Sequence, residues 1–147
     1  MSFEDSWIFA PILFGFVIGF RFKKPLLITR LSWRQKLVII VPKNDVRCMS
    51  SGNSELTSFC SSVSIKAFET SRKQTPISHY LWSMFGQPKV ILQTNSKENL
   101  EHFARQASES LICSTILRNE NGQTILAIGP GPNSMIDKIT GHLKLLK

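Results

Sequence analysis

Four short apolar runs alternate with segments of helical period, and this order constrains the fold more than any other feature of the chain. Leu37 to Val41 (LVIIV), Lys89 to Gln93 (KVILQ), Cys113 to Leu117 and Thr124 to Ile128 (TILAI) are rich in β-branched residues and read as buried strands. Leu56, Phe59, Cys60, Val63 and Ala67 recur at helical spacing and predict a helix over about residues 55–69. Thr75 and Pro76 fit an N-cap and first helical position, opening a short helix through Ile77, Leu81 and Met84 that Gly86 ends. Asn95 with Glu98 resembles a capping box ahead of a helix whose face is Leu100, Phe103, Ala104, Ala107 and Leu111. The third and fourth strands are joined only by Arg118 to Gly122, so they must pair antiparallel. Gly129-Pro130-Gly131-Pro132 is expected to break the fourth strand, with Asn133 capping a last helix that stops at Gly141. The order strand, helix, helix, strand, helix, strand, strand, helix describes a single α/β domain around a mostly buried sheet.

The region ahead of the first strand has a different character. Ser6 to Phe20 (SWIFAPILFGFVIGF) carries no charge, and Arg21, Lys23 and Lys24 follow it directly. As a helix it would span about 22 Å, short of the ~30 Å hydrocarbon core, although snorkelling of the basic flank extends its reach. Acids precede the run, bases follow it, and no A-x-A site appears, which is the reverse of a secretory signal peptide. The pattern favours a retained anchor that leaves the rest of the chain on the cytosolic side. An amphipathic or buried N-terminal helix is the competing reading. The expected organisation is an apolar leader at 1–24, a basic stem at 25–35 and a domain at 36–147. Residues 1–36 carry six of the 18 basic groups against Glu4 and Asp5, so half of the formal charge of +8 falls in about a quarter of the chain, near the leader. That excess points toward an anionic partner without singling one out.

General catalytic templates fail. The chain has no G-x-S-x-G elbow, no phosphate-binding G-x-x-x-x-G-K-[ST] loop and no H-E-x-x-H. The prolines of the Gly129 to Pro132 turn remove the backbone donors that a pyrophosphate would need. His79, His102 and His142 lack ligand spacing, as do Cys48, Cys60 and Cys113, so neither a metal nor a cofactor is expected. Three cysteines cannot all pair, and a reducing compartment fits them better than a disulfide-stapled secreted fold. The serines between Ser50 and Ser64 have no His or Lys placed to activate one.

The C-terminal half is more specific. GQPKVILQ at Gly86 to Gln93, IGPGP at Ile128 to Pro132 and IDKITGHLKLL at Ile136 to Leu146 closely resemble the type-2 peptidyl-tRNA hydrolases, which cleave the ester joining a stalled peptide to its tRNA. The resemblance covers about residues 36–147. It implies a mixed four-stranded sheet with helices on both faces, preceded here by the apolar segment, and a peptidyl-tRNA substrate. It also implies a location, since animal members have an apolar leader that targets the mitochondrial outer surface. The expected location is therefore the mitochondrial outer membrane facing the cytosol, through residues 6–20, with a cytosolic protein as the alternative.

The departures from the family fall where its chemistry lies. The family's G-K-G-K segment and A-A-Q-C-S-H-A-A helix correspond to Gly52-Asn53-Ser54-Glu55 and Thr57 to Ser64, with Gly52 and Cys60 setting the register. Asn53 then stands for the active-site lysine, Phe59 for the glutamine and Ser62 for the histidine. The family's D-A-G-R-T-Q loop shrinks to Asn119-Glu120-Asn121-Gly122, with Asn119 at the aspartate and the threonine missing. Glu120 or Lys43 is the residue that would compensate. Ester hydrolysis needs a base to activate water and a donor or cation for the developing oxyanion. Losing the base costs about 10²–10⁴ in rate and losing one oxyanion donor about 10²–10³. The expectation is a hydrolase relative with strongly reduced or absent activity, or a non-catalytic relative that binds tRNA or protein at a membrane.

Overall fold

The computed structural model describes residues 32–48, 53–120 and 122–146. The expected anchor at 6–20, and most of the basic stem, lie outside the described residues. Strand β1 (Gln35–Pro42) leads into a short helix α1 (Lys43–Cys48), then α2 (Asn53–Gln74) and α3 (Pro76–Met84). Strand β2 (Lys89–Thr94), helix α4 (Glu98–Glu109), the pair β3 (Ser114–Arg118) and β4 (Thr124–Pro132), helix α5 (Asn133–Thr140) and strand β5 (Lys144–Leu145) complete the chain. The sheet order is β3-β4-β1-β2-β5. β1 and β2 are parallel; every other pairing is antiparallel.

The central strand explains the layering. β1 is buried on both faces, so alternate side chains feed two cores. Leu37, Ile39 and Val41 meet Phe59, Cys60, Val63 and Ala67 of α2 and Trp82 of α3 on one face. Val38 and Ile40 meet Leu100, Phe103 and Ala107 of α4 and Ile136 and Ile139 of α5 on the other. The stripe expected over residues 56–67 packs, as do Leu100, Phe103 and Ala107, whereas Leu111, expected on the same face, lies beyond α4 and is exposed, as are Ile77 and Met84 of α3. Fully burying such an aliphatic or aromatic side chain stabilises by about 1.5–3 kcal/mol.

Three expectations need correction. The sheet has five strands rather than four, because Lys144 and Leu145 pair with Gln93 and Leu92; two residues are too few to show a period. Gly129 to Pro132 does not break β4, which runs on to pair Gly131 with Lys36 and Pro132 with Gln35 across a register shift in β1. The prolines are tolerated there because β3 has already ended, its Ser114 opposite Ile128, and claims no further ladder donors beyond Gly129 N–H. The expected Asn caps are also displaced. Lys97 and Pro132 hold the N-cap positions of α4 and α5, and Ser96 Oγ, not Asn95, accepts the Glu98 N–H at 3.2 Å. No helix among the described residues is long and apolar enough to cross a membrane.

Candidate active site

One edge of the sheet gathers the positions of interest. Because β1 and β2 are parallel, their C-terminal residues Pro42 and Thr94 lie side by side. β4 runs the other way, so its first residue Thr124 meets this edge, with Arg118 of β3 opposite it. The connections described at this edge are α1, the Asn95 to Lys97 link, and the two arms of the β3–β4 hairpin. Sheets with parallel strands commonly bind ligands in crevices at such C-terminal edges.

The hairpin is closed by Asn119. Its N–H donates to Gln123 O at 3.0 Å, its Oδ1 accepts the Gln123 N–H at 2.9 Å, and its Nδ2 donates to Gln123 Oε1. Both ends of the amide are therefore spent on holding the turn, and an amide takes up no proton near neutral pH. Glu120 is an exposed residue of the same turn. Asn53 is the first residue of α2. Ser62 stands nine residues further along that helix, about 13 Å by helical rise. It is exposed, and its hydroxyl donates to Ser58 O at 3.0 Å, a local back-bond that leaves it without a base. Phe59, at the family's glutamine position, is buried in the core. Lys43 is exposed at the start of α1. These positions share an edge and its adjoining helix, but no nucleophile–base pair forms among their described side chains.

A polar cluster that sequence reasoning missed does form at this edge. Asp45 is the one charged side chain buried among the described residues. Its Oδ2 accepts the Thr124 N–H at 3.0 Å and its Oδ1 pairs with Lys97 Nζ at 3.0 Å. Lys97 also donates to Gly122 O at 3.0 Å, so one carboxylate and one ammonium tie α1, the approach to α4 and the hairpin together. Thr94 and Gln123 are buried beside the same strand ends. The only sequence signal was an acidic residue four positions after the apolar run Leu37 to Val41. The thiols of Cys60 and Cys113 are pushed up by burial, which makes them poor nucleophiles. No group of three His, Cys, Asp or Glu among the described residues is arranged to hold a metal ion.

Comparison with known proteins agrees with this architecture. Residues 35–146 match the family described as Peptidyl-tRNA hydrolase PTH2. The chain is 30% identical over 115 residues to the human protein named Peptidyl-tRNA hydrolase 2, mitochondrial, covering 74% of this chain and 63% of that one. It thus spans less than two thirds of the human relative's length. It is 35% identical over 118 residues to the Peptidyl-tRNA hydrolase of Methanocaldococcus jannaschii, covering 76% of this chain and 99% of that one. A Drosophila melanogaster protein named Probable peptidyl-tRNA hydrolase 2 is 27% identical over 118 residues. With a match that takes in every strand and helix of the described sheet domain, this chain belongs to the type-2 peptidyl-tRNA hydrolase family.

Proposed function

We propose that this chain recognises peptidyl-tRNA but hydrolyses its ester at a strongly reduced rate, or not at all. The observation that carries the reading is Asn119, at the position where the family resemblance puts an aspartate. Its amide is closed against Gln123 on both sides, so it offers neither a base nor a free carboxylate to orient water. Asn53 and Ser62 remove a cation and an imidazole from the same reading. The test is release of labelled peptide from peptidyl-tRNA, with the Methanocaldococcus relative assayed alongside. The expected rate is at least about 10²-fold below the relative. An equal rate refutes the proposal.

Asp45 with Lys97 favours one other reading, in which a carboxylate and an ammonium at this edge replace the lost groups. If turnover is intact, Asp45→Asn abolishes it; if turnover is already low, that variant changes little. For location, we propose tethering to the mitochondrial outer membrane with the domain in the cytosol. The uncharged Ser6 to Phe20 run with its basic flank supports this, as do the human and bovine relatives named as mitochondrial. Deleting residues 1–24 should move the protein to the cytosol, and an unchanged location refutes the tether.

A further inference from the structure

The edge opposite the candidate site carries an apolar surface that neither core covers. Trp33 is 67% exposed, Phe85 52%, and Ile77, Tyr80 and Met84 on α3 are 44%, 63% and 62% exposed. Ile77, Tyr80 and Met84 follow the i, i+3, i+7 pattern of one helix face. Phe85, just past the end of α3, is exposed as well, and its ring meets Trp33 edge-on with centroids 6.0 Å apart. Exposed apolar side chains thus occur from the segment entering β1, through Phe85, to the outer side of α3. α3 has a separate inner side, formed by Leu81 and Trp82, so this stripe is surplus to the domain's packing.

We infer that this surface docks on an anionic lipid bilayer. Three observations choose that occupant. The first is charge: no acidic residue occurs between Asp5 and Asp45, nor between Glu69 and Glu98, the two stretches that supply the surface. Arg34 beside Trp33, Arg72 and Lys73 at the end of α2, and Lys89 at the start of β2 are the charges those stretches bring nearby in sequence. Aliphatic and aromatic side chains in stretches that bring only cations, with Asp137 at the same edge already paired to Lys36, are the pattern of an interfacial surface, where Trp and Tyr sit at headgroup level. The second is chain length. Only residues 21–32 separate the apolar run ending at Phe20 from Trp33, a reach of about 40 Å when fully extended. Here the inference rests on the proposed tether, which would hold this surface at the bilayer at high local concentration. The third is orientation. Trp33 and Phe85 precede the N-terminal ends of the parallel strands β1 and β2, whereas Asp45, Asn119 and Thr124 lie at their other ends. The eight residues of β1 separate the two edges by about 25 Å. A domain docked this way turns its candidate site toward the cytosol, where a tRNA can reach it.

The test uses the full chain carrying Trp7→Phe, which leaves Trp82, fully buried, and Trp33 as the exposed reporter. Vesicles of phosphatidylcholine with phosphatidylserine, and the same lipids with brominated acyl chains, are the probe. The expected result is co-sedimentation, bromine quenching of Trp33, and loss of its acrylamide quenching, with the bromine effect absent in a Trp7→Phe, Trp33→Phe variant. Trp33→Glu with Met84→Glu, both on exposed positions, should sediment with the vesicles through the leader while lowering the protection of Tyr80 from water-borne iodination by about tenfold. Sedimentation with Trp33 still open to acrylamide overturns the docking surface and leaves the tether standing. A full chain that does not sediment overturns the tether, and this surface with it. Shielding of Trp33 without vesicles means that the chain's own leader or a second copy occupies the surface, and shielding by tRNA alone means that an RNA does. Either result overturns the inference, and none of them alters the peptide-release rate that tests the proposed function.

Discussion

Asp45→Ala should be the most informative single truncation at the candidate site, because one carboxylate joins three chain segments there. Its Oδ2 is the partner of the Thr124 N–H in a buried setting, and a hydrogen bond to a charged acceptor contributes about 1.5–3 kcal/mol. Alanine removes that bond and leaves a buried backbone donor unpaired. The Lys97 pair adds less: the lysine side chain is 46% exposed, so solvent screening limits it to about 0.5–1 kcal/mol. Relief of the buried carboxylate's own desolvation offsets part of the loss. The net expectation is about 2–3 kcal/mol for Asp45→Ala. Asp45→Asn keeps an oxygen for Thr124 and loses only the charge pairing, for about 1 kcal/mol; Lys97→Ala should cost about the same or less.

Urea unfolding followed by circular dichroism separates these cases. With a slope of about 1.5 kcal/mol per M, the alanine variant should lose about 1.5–2 M in midpoint and each of the other two well under 1 M. Amide exchange at Thr124 should speed up in the alanine variant before the core opens. The reasoning fails if Asp45→Ala lies within about 0.5 kcal/mol of the parent, or if Lys97→Ala is equally damaging. The first result would mean that water replaces the carboxylate at Thr124. The second would mean that the ammonium, through Gly122, holds the hairpin.

Other expectations follow from the same geometry. Asn53→Lys with Asn119→Asp should raise peptide release above the parent yet leave it well below the archaeal relative, because Ser62 is no imidazole and the hairpin lacks the family's threonine; parity with the relative, or no gain at all, would show that the site is mapped wrongly. Gly129→Ala should cost about 3 kcal/mol or more, since φ is +105° and a Cβ would sit 2.7 Å from Lys36 O, whereas Gly122→Ala, at φ +74° with open space around it, should cost about 1 kcal/mol; thermal melts of both variants check the ranking. Burial, and secondarily Arg72, hold His79 below its ordinary value of 6.5, so the unfolded chain takes up this proton first and stability should fall as pH drops from neutral through that value. His79→Gln should flatten that slope in urea titrations from pH 7 to pH 5, and an unchanged slope would exclude His79 as its source.

The cores were legible because both periods are strict. Odd residues of β1 face α2 and α3, even residues face α4 and α5, and Phe59, Cys60, Val63 and Ala67 all land in one cluster. What escaped has local causes. α1 spans only Lys43–Cys48, less than two turns, and β5 only two residues, so neither displays a repeat. The prolines at 130 and 132 suggested a break, but β3 pairs no residue beyond Ile128 and the ladder to β1 shifts register there, so the strand runs on through them. The capping residues were displaced by one or two positions, the usual uncertainty where several polar side chains compete for the same first-turn donors. The site was less legible still. Asp45 is separated from its backbone partner Thr124 by 79 residues, and only the folded sheet can tell a buried carboxylate from a solvated one. Lys97 was hidden for the same reason, inside a stretch that resembled a helix cap.

The residues that made the family recognisable hold the fold together, and this is why the resemblance survives changes at the candidate site. A Cβ at Gly131 would press on Ile112 at 3.2 Å, and Gly129 has still less room. Pro88 O accepts both the Leu37 N–H and the Trp82 Nε1–H, while Gln87, with φ +51°, turns the chain into β2. Asp137 pairs with Lys36, and the buried Thr140 bonds back to Ile136 O at 2.9 Å. These locks serve the N-terminal ends of β1 and β2 and the seat of α5. Asn53 and Glu120 lie instead at the start of a helix and in a hairpin turn, outside the strand ladders, and Asn119 is held only by its local bonds to Gln123. The two cores do not rest on those positions, so the family resemblance is kept while the side chains there change. The residues that carry fold and family therefore sit at one edge of this domain, and those on which the proposed loss of ester hydrolysis rests sit at the other.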